Sequence, residues 1–374
     1  MSRLHLSPPS ITDSEKAAVN SCLESGWVAP VGPEIDLFEQ GVASATGRRH
    51  AIALSSGTAA LHLGLKALGV QQADEVVVPT LTFGATAFAV TYLNARPVFV
   101  DSEAESWGMD PDLLEEILRD RSKSNRLPTA VVPVDIFGRT CNYERILEIC
   151  SRYGVPVLAD SAESLGSTFG DAPAGSFGEA GAISFNGNKI VTSGGGGAFV
   201  TNDSGLAHKV RHWATQSREP RPWYEHKEIG FNYRLSNVLA AIGRTQLARL
   251  GEFVEARRRL RRLYSDLLAK LPGTHVAGDP PWGAWNSWLT VVVFDDESHR
   301  DARDNVLSAL NEQDIESRPI WKPLHRQPVF DSHQSKVTGV ADQLFSNGLC
   351  LPSGSNVVEE DVFRVVNVIE ATLK

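Results

Sequence analysis

From about residue 49 to residue 200 the chain alternates short apolar runs rich in β-branched residues with segments of helical period. Few arrangements satisfy that pattern. A strand that must be followed by a helix and then by another strand builds βαβ units, and these assemble a mainly parallel sheet. The runs expected as strands are 51–54, 75–78, 96–100, 130–134, 155–159, 180–184 and 197–201. Several are apolar on both faces, as strands are when helices cover both sides of the sheet. Between them, 58–68, 83–93 and 143–153 carry helical spacing, the first entered through Ser56-Gly57-Thr58.

The second half reads differently. A helical segment spans about 237–271 and contains the run Arg257-Arg258-Arg259-Leu260-Arg261-Arg262. That run is expected as a solvated helix face. After it come Trp282, Trp285 and Trp288, a strand at 289–294 and a helix at 300–313. With 374 residues, two domains fit: a large α/β domain over 1–250 and a smaller α+β domain over 251–374.

Charge and cysteine content remove several function classes. Thirty-six basic against 45 acidic side chains give a net charge of -9, which opposes general affinity for nucleic acid or an anionic membrane surface. No stretch is long and apolar enough for a membrane span, and the first residues lack the core of a secretory signal, so a cytoplasmic address is expected. Cys22, Cys141, Cys150 and Cys350 lie far apart without a CxxC pair, which points to buried reduced thiols rather than a zinc site or a disulfide framework. HExxH, GxSxG and GxxxxGK[ST] are absent.

Four local features carry possible chemistry. Ser55-Ser56-Gly57-Thr58-Ala59 is a strand-to-helix turn of small residues, suited both to starting a helix and to receiving an anion on backbone N–H groups. Asp160 ends an apolar strand. A carboxylate there needs a cation, a metal or a protonated ring nitrogen opposite it unless it merely caps the next helix. Lys189 follows a strand and precedes Gly194-Gly195-Gly196-Gly197, where the lack of side chains suits close approach of a flat ligand or a second subunit. A lysine held at a strand end in such a pocket suits Schiff-base chemistry, and a surface lysine in a glycine turn is the alternative. Phe83 stands at a strand-to-helix turn, where open α/β sheets bind ligands.

Taken together, a lysine for an imine, an aspartate for a ring nitrogen, a phosphate cup and a stacking aromatic describe a pyridoxal phosphate site. The chain resembles the DegT/DnrJ/EryC1/StrS family of sugar aminotransferases, of the aspartate-aminotransferase-like fold. The matching stretches are Ser56-Gly-Thr-Ala-Ala-Leu61, Asp160-Ser-Ala-Glu-Ser-Leu-Gly166, Ser184-Phe-Asn-Gly-Asn-Lys189 and Gly230-Phe-Asn-Tyr-Arg-Leu-Ser-Asn237. The likeness runs from Ser25 to Ser355. Within the family it is nearest to enzymes that aminate C4 of nucleotide-linked 4-keto-6-deoxy sugars, as in UDP-bacillosamine formation and exopolysaccharide clusters. Asp160-Ser-Ala-Glu163, Phe185-Asn-Gly-Asn188 and Arg318-Pro-Ile-Trp-Lys-Pro-Leu-His325 suggest that branch, and perosamine synthases share the first two.

The resemblance implies that Lys189 bonds to pyridoxal 5'-phosphate and moves protons, that Asp160 keeps the ring nitrogen protonated, that Phe83 stacks on the ring and that Glu163 lies near its phenolic oxygen. Gly57, Thr58, Ala59 and Ser184 would hold the phosphate, with Asn232 arriving from the neighbouring chain of a homodimer. L-glutamate would leave as 2-oxoglutarate, the cofactor passing through its pyridoxamine form, and the nucleotide-linked keto sugar would then take the amine. Trp27, Tyr224, His226, Arg318, Lys322 and His325 are candidate sugar contacts. Many relatives carry Glu in the glycine run, at the place of Gly195 or Gly196, and many carry His or Asn at the place of Asp135. A dehydratase of the same fold would have His in place of Lys189. A silent cofactor-binding homologue is the non-enzyme alternative.

Overall fold

The computed structural model describes residues 3–295 and 301–374. The expected start of a helix at Arg300 and the first two residues of the chain lie outside the described residues.

Helices α1 (Asp13–Ser25) and α2 (Pro33–Ala45) precede the sheet. The first-half strands are β1 (His50–Leu54), β2 (Glu75–Pro79), β3 (Arg96–Val100), β4 (Ala130–Val131) and β5 (Leu158–Asp160). A small hairpin follows, β6 (Thr168–Phe169) with β7 (Ala172–Pro173), then β8 (Ala180–Ser184) and β9 (Gly197–Thr201). All seven expected strands are present. Two are shorter than their apolar runs, because Pro133 and Pro156 interrupt them and have no N–H to give to a ladder. Isolated parallel bridges, Val131 with Val157 and Val134 with Asp160, carry the pairing across that gap.

The resulting spatial order is β3-β2-β4-β5-β8-β9-β1, parallel except for β9. Helices α3 (Gly57–Ala67), α4 (Ala85–Tyr92) and α7 (Ser204–Ala214) cover one face together with Val76 and Val78. Helices α5 (Pro111–Lys123) and α6 (Tyr143–Tyr153) cover the other with Val77. Alternate residues of one strand are therefore both buried, as continuous apolar runs require.

Reversal of β9 has a functional consequence. Because β9 is antiparallel to both β1 and β8, those two strands run the same way, and the glycine run between β8 and β9 turns back at their C-terminal edge. The turn before α3, the end of β5, the segment after β8 and the turn after β2 all meet there.

The expected long helix over 237–271 is two helices, α8 (Asn237–Leu247) and α9 (Leu250–Leu268). α8 packs on α1 and α2, whereas α9 packs on the C-terminal helix α12 (Glu359–Leu373) and on the second sheet. The break at Ala248–Arg249 lets each follow its own partner, and Arg249 turns to Ser10 and Glu15 of the N-terminal segment. That second sheet, in the order β10-β11-β14-β12, comprises β10 (Thr274–Val276), β11 (Thr290–Phe294), β12 (Arg318–Pro319) and β14 (Gly348–Leu351) and is wholly antiparallel. Helices α10 (Ala302–Glu312) and α11 (Val340–Asn347) complete this α+β unit. One short strand, β13 (Ser335–Lys336), returns to pair with β3 of the first sheet.

The arginine run is not a solvated face. Arg257 is 2% exposed and donates to Trp288 O, Ser353 O, Ser355 Oγ and Ser7 Oγ. Arg258 donates to Trp285 O and Arg261 to Ser287 Oγ, while Arg259 and Arg262 face water. Helical period turned three of the five guanidinium groups inward, and carbonyl and hydroxyl oxygens replaced the water they lost. All four cysteines are buried free thiols. Among the described residues no helix is long and apolar enough to cross a membrane.

Close packing, not only turn geometry, explains the glycines beside the site. A Cβ on Gly197 would lie 2.4 Å from Gly57 N and from Ser56 C, so β9 and the start of α3 could not share their present positions. A Cβ on Gly195 meets nothing within 4 Å. Gly197→Ala is expected to destabilise the fold by about 1–3 kcal/mol in chemical denaturation, whereas Gly195→Ala stays within about 0.5 kcal/mol of the wild type.

Candidate active site

A cavity of about 280 Å³ opens at the edge where these turns meet. Its walls include Gly57 and Thr58 from the start of α3, Phe83 and Thr86 from the turn into α4, Asp160 and Glu163 after β5, and Ser184 and Lys189 after β8.

Asp160 is 4% exposed and is held in the sheet from both sides: toward the 133–135 segment its N–H donates to Pro133 O and its C=O accepts from Asp135 N–H, and on the other side it pairs with Ala182 of β8. Its Oδ2 accepts from Thr86 Oγ1 at 2.8 Å and its Oδ1 from Ala162 N–H at 3.2 Å. Thr86 is oriented in turn by Thr82, 2.9 Å away. Among the described residues no cation touches the carboxylate. Burial, which outweighs these hydrogen bonds, raises its pKa to about 6; nearby Glu163 pushes the same way and Lys189 opposes. A cationic nitrogen placed opposite Asp160 would relieve that cost.

Lys189 and Glu163 form a buried ion pair, Nζ to Oε1 3.2 Å, with side chains 12% and 5% exposed. The other carboxylate oxygen accepts from Phe137 N–H at 2.6 Å. Phe137 presents that N–H from the left-handed region, φ 55°, with its own carbonyl taken by Trp285 Nε1 at 2.7 Å. Behind the loop that carries Asp160 and Glu163, the fully buried Asp135 accepts from Ser161 Oγ, Ser164 Oγ, Tyr143 OH and Cys141 N–H, and so holds the loop from its rear.

At the other end of the cavity, helix geometry leaves the amides of Gly57 and Thr58 without intrahelical acceptors. Ser184 lies against Gly57, where an added Cβ would be 3.0 Å from Ser184 Cβ. A helix N-terminus with a neighbouring hydroxyl is a natural phosphate seat. Ala59 does not line the cavity: it is buried, and its N–H already donates to the N-cap Ser56 Oγ at 3.0 Å. Phe83 is 62% exposed at the rim and meets Trp321 edge-on, centroids 6.3 Å apart. A buried carboxylate lacking its cation, an amine across the cavity, an anion seat and a rim aromatic fit pyridoxal phosphate group by group.

The candidate sugar contacts lie elsewhere on this chain. His325 is occupied structurally, with Nδ1 2.7 Å from Thr80 Oγ1 and Nε2 3.4 Å from Asp342. Arg318 pairs with Glu316, and Lys322 is exposed. Trp27, Tyr224, His226 and Asn232 are exposed and also stand outside the cavity, His226 bonding Gln216 O. Sequence reasoning missed Thr82, Thr86, Asn186, Asn188, Trp288 and Trp321 as cavity residues. Trp321 sits inside the stretch 318–325 that suggests the 4-aminating branch, and the tryptophan cluster at 282–288 was a visible signal for Trp288.

A sequence model of the DegT/DnrJ/EryC1/StrS aminotransferase family matches residues 9–370. The chain is 42% identical over 373 residues to EpsN of Bacillus subtilis strain 168, a protein assigned as a pyridoxal phosphate-dependent aminotransferase, covering 98% of this chain and 95% of that one. It is 36% identical over 375 residues to GDP-perosamine synthase of Caulobacter vibrioides, covering 99% and 98%. Among solved structures it superposes on a DegT DnrJ EryC1 StrS aminotransferase from Brucella abortus with a TM-score of 0.89 at 32% identity, over 96% of this chain and 95% of that one. It also matches DesI, solved in the presence of its TDP-sugar product, with a TM-score of 0.91 at 28% identity, over 100% and 93%.

Asp160 gives a pH test. Its folded-state pKa lies above the unfolded value, so without a cation opposite it the protein is destabilised as pH rises from about 4 through 6. Asp160→Asn should therefore stabilise the cofactor-free protein by about 2–3 kcal/mol at pH 8, and the gain should shrink as pH falls toward 5. Urea unfolding at the two pH values measures both.

Proposed function

Because the chain belongs to the DegT/DnrJ/EryC1/StrS family, whose members are pyridoxal phosphate-dependent sugar aminotransferases, we propose that it moves the amino group of L-glutamate to the C4 keto group of a nucleotide-linked 4-keto-6-deoxy sugar. The carrying observation is Lys189 lining one cavity with the buried carboxylate of Asp160, which has no cation against it, and the anion seat at Gly57, Thr58 and Ser184. When bound, pyridoxal phosphate supplies an aldehyde that exchanges between amines and a ring that accepts electrons.

The residues divide the remaining work by position. Asp160 would hold the ring nitrogen and favour its protonated state, since that pairing would remove the burial cost of the carboxylate. Gly57, Thr58 and Ser184 would hold the phosphate, and Phe83 at the rim would pack on the ring. Lys189 Nζ takes the α-proton of glutamate and later delivers a proton at the sugar carbon. Glu163 accepts from Lys189 and fixes where that nitrogen rests. Its second oxygen is held by Phe137 N–H, so the carboxylate cannot swing away toward the ring oxygen without losing a short hydrogen bond.

A UDP-linked 4-keto-6-deoxy sugar such as the GlcNAc derivative is our first choice of substrate, supported by the stretches at 160–163, 185–188 and 318–325 that resemble the UDP-bacillosamine branch. GDP-linked sugars are the second, supported by the perosamine synthases. We further propose a cytoplasmic homodimer with shared sites. Exposed Phe88 and Tyr92 on α4, and Trp223, Tyr224 and Ile229 in the loop that carries His226 and Asn232, leave apolar surface for a second copy. The boundary near residue 250 between a large and a small domain follows the break between α8 and α9.

The test is spectral and chemical. Purified protein should show a visible cofactor band that glutamate bleaches and 2-oxoglutarate restores, and Lys189→Ala should lose that band together with at least about 1000-fold in turnover. Supplied with glutamate and UDP-, GDP- and dTDP-linked 4-keto-6-deoxy sugars, it should yield a 4-amino sugar by mass. Amination of a 3-keto sugar alone would overturn the regiochemistry, and a band indifferent to glutamate would favour the silent homologue.

A further inference from the structure

The nitrogen of Lys189 touches more than Glu163. Trp288 also stands against it, with Nζ 3.9 Å from the centroid of the indole ring. Trp288 is 1% exposed. An ammonium over an indole face is attracted by the ring quadrupole, most strongly where water is excluded. The carboxylate of Glu163 and the face of Trp288 therefore present two cation-stabilising surfaces to one nitrogen. Asp160 is the other charged group acting on it, through the cavity.

The spacing of those two surfaces is built in. Asn286 Oδ1 accepts from Trp288 N–H at 2.9 Å, while Asn286 Nδ2 donates to Glu163 O at 2.9 Å and to Leu165 O at 3.0 Å. Gly138 makes room for this side chain, since a Cβ there would lie 2.1 Å from Asn286 Oδ1. The ring itself is pinned by its N–H on Asn188 O at 2.7 Å, the carbonyl just before Lys189, which also accepts from Ser7 Oγ. The buried Arg257 closes the arrangement, donating to Trp288 O at 2.6 Å and to Ser7 Oγ at 3.1 Å.

We propose that Trp288 is a positioning residue that, with Glu163, forms a two-sided seat receiving the Lys189 ammonium whenever that nitrogen is not bonded to the cofactor. The inference rests on the reading of Lys189 given above. Its consequence is thermodynamic: the seat is filled when the cofactor is in its amine form and empty when the lysine is bonded to the aldehyde form, so it biases the half-reaction toward the amine.

The experiment uses the holoenzyme at a fixed ratio of glutamate to 2-oxoglutarate, with the two cofactor forms read from their separate absorption bands. Trp288→Met, which keeps bulk but loses the aromatic face, should shift the half-reaction equilibrium about tenfold toward the aldehyde form. Trp288→Phe, with a weaker face, should shift it about threefold the same way. A Met variant within twofold of the wild type, or a shift toward the amine form, would overturn the proposal. If the Met variant does not fold, the Phe variant decides, and equality with the wild type overturns it. A second arm needs no amino donor: in cofactor-free protein at one pH, acylation of Lys189 read by peptide mass should be several-fold faster in Trp288→Met, with Phe intermediate. Equal rates in all three would overturn the seat. A wild-type band that ignores glutamate would count against the donor reading and leave this second arm to decide the seat.

Discussion

A carboxylate taken out of water with no cation against it is the constraint on which the site depends. Asp160 sits at the end of a strand paired on both sides, so it cannot retreat to solvent, and its two hydrogen bonds to Thr86 and Ala162 do not offset its burial. Such a group is tolerable when a ligand brings the missing positive charge. The surrounding structure serves that arrangement. Thr82 and Thr86 aim one oxygen, the parallel pairing with the 131–135 segment fixes the strand end, and Asp135 holds the following loop from behind.

Geometry at the sheet edge then brings the other groups to the carboxylate. One reversed strand, β9, starts at the edge where β1, β5 and β8 end, so the glycine run before it lies at that edge. Gly197 permits β9 to run against the start of α3, and a methyl group at that point would collide with Gly57 N and Ser56 of the anion seat. Small residues here are the condition for two backbones to touch, and the distance between the phosphate end and the amine follows from it.

A second buried charge joins the two halves of the molecule. Arg257, on α9, has carbonyls and hydroxyls as partners, from Trp288, Ser353, Ser355 and Ser7. Its burial holds its pKa down at about 9. Because Ser7 and Trp288 both bond Asn188 O, the guanidinium reaches the backbone beside Lys189 through two short routes. The second unit thus contributes to the site through the tryptophan it holds, although most of the site comes from the first.

Much of this was legible in one dimension. The seven strands from β1 to β9 outside the small β6–β7 hairpin were visible as apolar runs, because strands covered on both faces must be apolar throughout, and Lys189, Asp160, Glu163, Gly57, Thr58, Phe83 and Ser184 were visible as motifs. Local chemistry sets such features, and the sequence by itself determined them. It did not show that Ala59 spends its amide on Ser56, that the helix over 237–271 breaks at Ala248–Arg249 without Gly or Pro, or that three arginines turn inward. Nor did it join Lys189 to Trp288, which lies 99 positions further along the chain. These depend on which surfaces meet after the sheet has closed. Tertiary structure alone decided them, because the energy of a buried guanidinium or an indole face resides in partners that are distant in sequence and adjacent only in the fold.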